Sequence, residues 1–456
     1  MNYETSHHQS LKQLIAAREA RVAVVGLGYV GLPLALTAYD EGFDTTGVDL
    51  NPDRVARINQ GAQVISYLAQ DRIAQAVDSG RFRATQDAAA LVEADVILIC
   101  VPTPLTDAQD PDMRFVAAAA QTIAQHLRPG QLVVLESSVW PGATTTLVQP
   151  ILEAGGLRAG SDFFLAFSPE REDPGNDKFD THSIPKVVGA DDPLSRQLVE
   201  DFYRAIVTSA VPVSSAATAE AVKLVENSFR TVNIALVNEL KTALEAMDVD
   251  VWEVIEAAAT KPFGFMPFYP GPGIGGACIP VSPAYLAWRA ADAGSDTPLI
   301  NLARSSNDAV PQMLAARMAA ELTARNGSAL AETGQPLTGQ RILLMGIAYK
   351  RDVEDTRRSP ALVLLAELEK LGAQVDYHDP YFPRLPEGGE YPQLAGRTSE
   401  PLTAENMKRY AAVAIITDHS APDYDLVARE AALVFDTRNV FDKAGITVAD
   451  GRLVKM

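Results

Sequence analysis

The sequence predicts an α/β protein with two doubly wound parallel-sheet domains joined by a long central helix and a helical middle domain. Three observations carry this expectation. A strand, glycine turn, helix and second strand follow one another between Arg21 and Asp49. A similar strand–helix–strand series begins at Arg341. Between them, Ala216 to Met247 contains neither proline nor glycine and repeats its apolar residues at intervals of three and four, as a buried helix does.

Composition bounds the rest. A chain of 456 residues implies two or three domains. The expected division is an N-terminal extension over 1–18, a sheet domain over 19–212, a central helical domain over 213–322, a linker over 323–339 and a second sheet domain over 340–456. Hydrophobic residues at 47% and charged residues at 21% supply an ordinary core. The net charge of −19 argues against a nucleic-acid partner, which needs clustered Lys and Arg. Two cysteines, Cys100 in an apolar run and Cys278 in a glycine loop, make no disulfide framework, so a reducing, cytoplasmic setting is expected. Met1 to Arg18 is polar, with His7 and His8 in what reads as a frayed extension. No run approaches the ~18 apolar residues of a membrane span. Six His without a nearby ligand cluster make a metal site an unexpected outcome.

The elements follow in order. Val22 to Val25 is a strand, Gly31 to Tyr39 a helix, and Asp44 to Asp49 a second strand. The apolar runs Ala94 to Val101 and Gln131 to Glu136 are further buried strands, each leading into a polar loop. On the central helix Val222, Val225, Phe229, Val232, Leu236 and Leu240 share one side and Ile234 another. That pattern fits a spine buried by the flanking domains, or a dimerisation surface. Thr323 to Gly339, polar and broken by Gly327, Gly334 and Pro336, is the linker. The second half then offers strands at Ile342, Gln374 to Asp379, Ala411 to Ile416 and Ala432 to Phe435, with a helix over Pro360 to Leu371.

Gly26-x-Gly28-x-x-Gly31 follows a strand, opens a helix, and has Asp49 at the end of the next strand. This is the Rossmann-like fingerprint in its full context, and it predicts dinucleotide binding. The glycines let a pyrophosphate approach the helix N-terminus. Asp49 is either the acceptor for the adenosine ribose, favouring NAD over NADP, or a solvated strand-end carboxylate. Lys223 and Asn227 lie four apart and share a helix face, as a site or as a solvated pair. Glu170 follows an apolar run, where a parallel sheet hands its loops to a ligand. Lys350 suits a phosphate at a strand end, and Arg357 does the same or is a surface charge. Cys278 is a covalent nucleophile held by glycines and prolines, or a small buried hydrophobe.

These residues, with the runs Val25 to Pro33, Val101 to Pro104, Glu136 to Gly142, Ser168 to Arg171, Lys223 to Asn227, Arg230 to Glu239 and Gly346 to Asp352, resemble the UDP-glucose/GDP-mannose dehydrogenase family. The likeness runs from Arg21 to about Val440 and is greatest to the branch acting on UDP-N-acetylhexosamines. It implies oxidation of a C6 hydroxyl to a carboxylate with two NAD reduced, through a thiohemiacetal and thioester on Cys278, for polysaccharide or glycoconjugate synthesis. Lys223, Asn227, Glu170 and Ser138 would be catalytic. Gly26, Gly28, Tyr29, Val30, Gly31, Asp49, Arg54, Pro102, Thr103, Ser137 and Arg357 would bind NAD. Glu170, Arg171, Lys223, Asn227, Arg230, Tyr269, Gly271, Gly273, Gly275, Tyr349 and Lys350 would bind the UDP-sugar. The resemblance also implies a homodimer or higher homo-oligomer through the central helix, with no membrane partner.

Three positions depart from the family pattern. Ser138 stands where Thr is usual, Ala277 where the acetamido-sugar branch commonly has His, and Ser282 where it has Asp. The last removes a charge beside the active-site Lys. Alternatives therefore stay open: a UDP-glucose 6-dehydrogenase, a variant stopping at the aldehyde, or a protein that binds nucleotide sugar without turnover.

Overall fold

Short runs rich in Val, Ile, Leu and Phe form the strands because parallel strands covered on both faces must be apolar along their whole length. The computed structural model describes residues 6–65, 68–173, 175, 178–326, 335–387 and 390–456. They fall into two compact units, one reaching to Asn227 and including Ala284–Asp296, the other comprising Ser228–Pro283 and Thr297–Met456.

The first unit holds strands β1 (Val22–Val25), β2 (Thr45–Val48), β3 (Phe82–Thr85), β4 (Val96–Ile99), β5 (Leu132–Leu135), β6 (Phe164–Phe167), β7 (Lys186–Gly189) and β8 (Ala210–Val213). Their order in the sheet is β3-β2-β1-β4-β5-β6-β7-β8. Val22 pairs with Thr45 on one side and Val96 on the other. All neighbours run parallel except β6 and β7, which meet antiparallel at Phe167 and Gly189. Every residue of β4, β5 and β6 is buried. The order reverses between β1 and β4, and the crevice beyond their carboxyl ends is where such sheets receive ligands. At the outer edge the Asn59 side chain donates to Ala84 O at 2.8 Å and accepts from Ala84 N at 2.9 Å.

The second unit holds β9 (Arg341–Met345), β10 (Gln374–His378), β11 (Ala412–Ile415), β12 (Val434–Asp436) and β13 (Leu453–Lys455). They form one parallel sheet in the order β10-β9-β11-β12-β13. Two parallel-dominated sheets with covering helices are the expected α/β architecture. The short strands β3, β7, β8 and β13 are not among the elements expected from the sequence, because three or four residues are too few to show a period and β8 contains Pro212.

The central helix runs Ala216–Glu245, and the boundary between units falls inside it. Its apolar stripe is not buried throughout: Phe229, Leu236 and Leu240 are 49%, 50% and 40% exposed, while Val222 and Val232 are half-buried. The opposite side is engaged, with Val237 buried against Val251, Trp252 and Ile255. Of the expected linker, residues 323–326 still belong to the helix Pro298–Asn326, and residues 327–334 lie outside the described ones.

The extension is not frayed where it is described. Ser6–Ala17 is a helix, and His8, Leu11 and Ile15 on one face are buried against the helix Pro193–Ile206 and the first core. The His8 ring meets Phe164 edge-on at 5.9 Å. Three residues at spacings of three and four suffice for that face, but they are hidden among Gln, Ser, Lys and His. Leu11→Ala is expected to cost about 2–4 kcal/mol in urea unfolding, the range for emptying a buried leucine site. A cost below about 0.5 kcal/mol would mean the helix is a surface appendage.

Candidate active site

The fingerprint turn is built as close approach requires. Gly26 has φ +93°, and a Cβ there would lie 2.5 Å from Cys100 O; one on Gly31 would lie 1.8 Å from Gly26 O. At Gly28 a Cβ would meet nothing within 4 Å, so that side of the turn is open. The helix Gly31–Asp40 has no side-chain cap at Val30; Leu32 N donates to Gly28 O at 3.2 Å and Pro33 carries no N–H, so it is the positive end of the helix dipole that favours an anion there. Asp49 is buried; its Oδ2 accepts from Leu27 N at 2.8 Å and Arg54 Nη1 at 2.9 Å, and its Oδ1 from Asn51 N at 2.8 Å. The carboxylate thus ties the glycine turn to the end of β2. Open glycine, uncapped N-terminus and fixed carboxylate together suit a dinucleotide's pyrophosphate and ribose.

The loops after β4 and β5 flank this turn. Ser137 Oγ donates to Val101 O at 2.8 Å and accepts from Val101 N at 3.0 Å, locking the two loops together. Pro102 is exposed, Thr103 and Ser138 are half-buried, and Tyr285 donates to Pro104 O at 3.0 Å.

Beyond β6 the chain brings Glu170 to Lys223. Lys223 Nζ donates to Glu170 Oε2 at 2.7 Å and to Glu170 O at 2.6 Å, and both residues are buried, as is Asn227 one turn further along the helix. The other carboxylate oxygen, Oε1, accepts from Glu172 N. Arg171 pairs with Glu226 at 2.5 Å and donates to Pro185 O at 2.7 Å.

A second buried pair lies behind the first, and sequence reasoning missed it. Lys186 Nζ donates to Glu136 at 2.5 Å and to Pro169 O at 3.1 Å, and Tyr203 OH donates to the other Glu136 oxygen. Two lysines therefore hold the consecutive carbonyls of Pro169 and Glu170. Burial pushes the Glu136 carboxyl up, against the pull of Lys186. Burial, and next the Glu136 charge, push the Cys100 thiol well up, so this cysteine is an inert core residue. Burial, and then the charge of Glu170, push the Glu172 carboxyl from 4.5 to about 8.

The second unit carries the cysteine loop. Cys278 is a free, half-buried thiol, and its carbonyl accepts from Val281 N at 3.1 Å and Ser282 N at 2.9 Å, just ahead of the helix Ser282–Asp292. The loop is fixed along its length. Gly271 N donates to Asn238 at 2.9 Å, Gly273 packs on Asn307 and Pro360, and Gly276 N donates to Arg357 O at 2.9 Å. At Gly275 a Cβ would lie 2.6 Å from Tyr349 Cβ and 2.8 Å from Arg358 O, so only glycine fits. Tyr269 stacks on Trp252 at 5.7 Å, with Lys443 over both rings. Ser282, at the family's Asp position, is buried.

Lys350 and Tyr349 are half-buried after β9, and Arg357 is clamped by both Asp355 oxygens, the shortest contact being 2.6 Å. Arg357 is therefore oriented rather than a freely solvated charge. Arg230 is exposed on the central helix. The end of β10 repeats the end of β2: Asp379 Oδ2 accepts from Ile347 N at 2.7 Å and Ala348 N at 3.1 Å. Here, however, His419 Nε2 also takes that oxygen at 3.0 Å, and Asp352 N donates to His419 Nδ1 at 2.9 Å, so Nε2 carries the proton. Among the described residues no group of three or more His, Cys, Asp or Glu is placed to hold a metal ion, and no helix is long and apolar enough to cross a membrane.

Fold and fingerprint together define an NAD-dependent dehydrogenase. The chain belongs to the UDP-glucose/GDP-mannose dehydrogenase family, matching its NAD binding domain over residues 20–207, its central domain over 217–309 and its UDP binding domain over 343–443. It is 37% identical over 366 residues to the UDP-N-acetyl-D-glucosamine 6-dehydrogenase of Pseudomonas aeruginosa, covering 80% of this chain and 83% of that one. The solved UDP-D-ManNAc dehydrogenase of Pyrococcus horikoshii matches with a TM-score of 0.80 at 31% identity, over 92% of this chain and 96% of that one. The UDP-glucose dehydrogenase of Pyrobaculum islandicum matches with a TM-score of 0.79 at 26% identity, over 95% and 98%.

The raised Glu172 carboxyl has a measurable consequence. A carboxyl favoured in its neutral form by the fold contributes stability that is full below pH 4.5 and lost as pH rises through about 8. Glu172→Gln cannot ionise, so its melting temperature should pull ahead of the parent's progressively across that window. A gap that stays constant with pH would mean Glu172 is solvated.

Proposed function

We propose that this chain oxidises the C6 hydroxyl of a UDP-N-acetylhexosamine to a carboxylate in two NAD-dependent steps, through adducts on Cys278. The observation that carries the reading is the half-buried free thiol of Cys278 in a loop pinned at Gly271, Gly275 and Gly276. An alcohol-to-aldehyde enzyme needs no such thiol. The sugar is taken from the names of the relatives in Pseudomonas aeruginosa and Pyrococcus horikoshii.

Gly26, Gly28, Tyr29, Val30, Gly31, Asp49 and Arg54, with Pro102, Thr103, Ser137 and Arg357, would hold NAD, which would supply the hydride acceptor for each oxidation. In the first, C6 loses a hydride and its hydroxyl a proton, giving an aldehyde. The Cys278 thiolate then forms a C–S bond to that carbon and the oxygen gains a proton. Loss of a second hydride and of that proton leaves a thioester. Water adds, the C–S bond breaks, and carboxylate and thiol separate. Lys223 stabilises the successive oxyanions, its charge already balanced by Glu170. Asn227 lies one turn away and Ser138 offers a hydroxyl to the attacking water. Glu170 takes the water's proton. Arg171, Arg230, Tyr269, Gly271, Gly273, Gly275, Tyr349 and Lys350 hold the UDP-sugar, Arg171 while braced by Glu226.

In this reading residues 19–212 carry the cofactor, 213–322 the reacting groups and 340–456 the UDP moiety. A cytoplasmic setting agrees with two free thiols. A second reading, oxidation that stalls at the aldehyde or acyl-enzyme, draws support from the neutral Ser282 at the family's Asp position. Counting NADH per sugar over a panel of UDP-sugars separates the two, and the same panel distinguishes the N-acetylhexosamines from UDP-glucose.

The parent should release two NADH per sugar. Cys278→Ser should form no uronic acid while binding NAD within about threefold of the parent, because a serine oxygen is both a poorer nucleophile and a poorer leaving group. Carboxylate made by that variant at the parent rate would end the covalent proposal. If Ser282 slows thioester cleavage, intact-protein mass spectrometry during turnover should show acyl-enzyme that Ser282→Asp removes.

We also propose a homodimer or higher homo-oligomer closed over the exposed stripe Phe229, Leu236 and Leu240. Light scattering should give at least twice the 48.9 kDa chain mass, and Leu236→Asp should shift it toward one chain. An unshifted mass in that variant would place the contact elsewhere.

A further inference from the structure

Lys223 and Ser138 reach the first unit's site from different elements, one from the central helix and one from the loop after β5. Glu220 connects those two elements. It lies three residues before Lys223, on the same face of the helix, and is only 1% exposed. Its Oε2 accepts from Gly142 N at 2.5 Å, and its Oε1 accepts from Thr144 N at 2.8 Å and Thr144 Oγ1 at 2.6 Å. Gly142 is four residues beyond Ser138. Thr144 is also buried and starts the helical stretch Thr144–Val148. On the far side of the same loop Trp140 packs on Trp288 at 4.8 Å and Tyr285 at 6.4 Å.

Each carboxylate oxygen of Glu220 thus meets only donors. Its negative charge also sits at the start of a helical turn, where unsatisfied N–H groups favour an anion. Neither its neutral isostere nor a truncated side chain matches this demand. A glutamine would keep one accepting oxygen but turn its NH₂ toward an N–H or O–H donor, and an alanine would leave the buried donors unpaired.

We propose that Glu220 is a positioning residue that sets the loop carrying Ser138 against the helix carrying Lys223. This rests on Ser138 and Lys223 acting in the oxidation described above. It predicts that losing Glu220 costs turnover rather than ground-state binding, because the residue is buried and both its oxygens are taken up by Gly142 and Thr144.

The test uses the full chain, NAD and whichever of UDP-N-acetylglucosamine and UDP-N-acetylmannosamine the parent turns over. Steady-state constants are compared for Glu220→Gln, Ser138→Ala, Lys223→Met and the double variant Glu220→Gln with Ser138→Ala. Glu220→Gln should lower kcat about 10–100-fold with both KM values within about threefold, and shift the fluorescence of Trp140. The double variant should be no more than about twofold slower than the slower single one, since Glu220 acts through the Ser138 loop. A Glu220→Gln kcat within twofold of the parent's, or rate losses that simply multiply in the double variant, overturns the proposal while Ser138→Ala and Lys223→Met remain impaired. Unimpaired Ser138→Ala and Lys223→Met instead overturn the reading of the site, and the proposal with it. If Glu220→Gln does not fold, Thr144→Val, which removes one donor and keeps the N–H, carries the test. It should lose about 3–10-fold in kcat at unchanged KM, and an unchanged kcat overturns the proposal.

Discussion

An ammonium group taken out of water must be met by a carboxylate and by further acceptors, or the fold loses several kcal/mol. Lys223 is met by the side chain and the carbonyl of Glu170. Much of the first unit's arrangement follows from satisfying that demand. The loop after β6 has to turn back far enough to present both atoms of one residue. Lys186 then holds the preceding carbonyl, which buries a second ammonium and requires Glu136 and Tyr203 behind it. Each charge introduced at the carboxyl ends of the strands creates the need for the next.

The layout of the fold was legible because its signals are local and periodic. The glycine turn declares itself by spacing, and the central helix by an uninterrupted run without proline or glycine. The helix Ser6–Ala17 escaped notice because only His8, Leu11 and Ile15, with the partly buried Leu14, face the core. The linker reading extended too far back because a polar composition cannot distinguish a loop from the solvent-facing end of the helix Pro298–Asn326.

The candidate site was legible as separate residues but not as contacts. Lys223 and Glu170 stand 53 positions apart, Lys186 and Glu136 50, and Tyr203 and Glu136 67. No spacing rule links groups so distant, and Glu136 and Lys186 sit at the borders of apolar strands where a charged residue reads as the point at which the strand surfaces. Asp49 and Asp379 show the opposite case. Both sit at equivalent strand ends and both receive backbone N–H groups from the turn after the first strand of their sheet. Their difference lies in His419, which comes from the loop after β11 and engages the second carboxylate alone. Only the folded chain reveals that the two acids take different partners beside the turn, Arg54 at Asp49 and His419 at Asp379.

The side chain of Asn59 lies against Ala84 as a neighbouring strand would, offering one donor and one acceptor at the spacing of a peptide group. A sheet of eight strands that ended on bare peptide groups would be a template for the next molecule, and at the concentrations of a growing cell such templates lead to insoluble ribbons. A single amide makes the last strand a terminus instead of an invitation. Whatever assemblies this protein forms, growth by adding strand to strand is disfavoured at Ala84, whose peptide groups are already taken by a residue outside the candidate site.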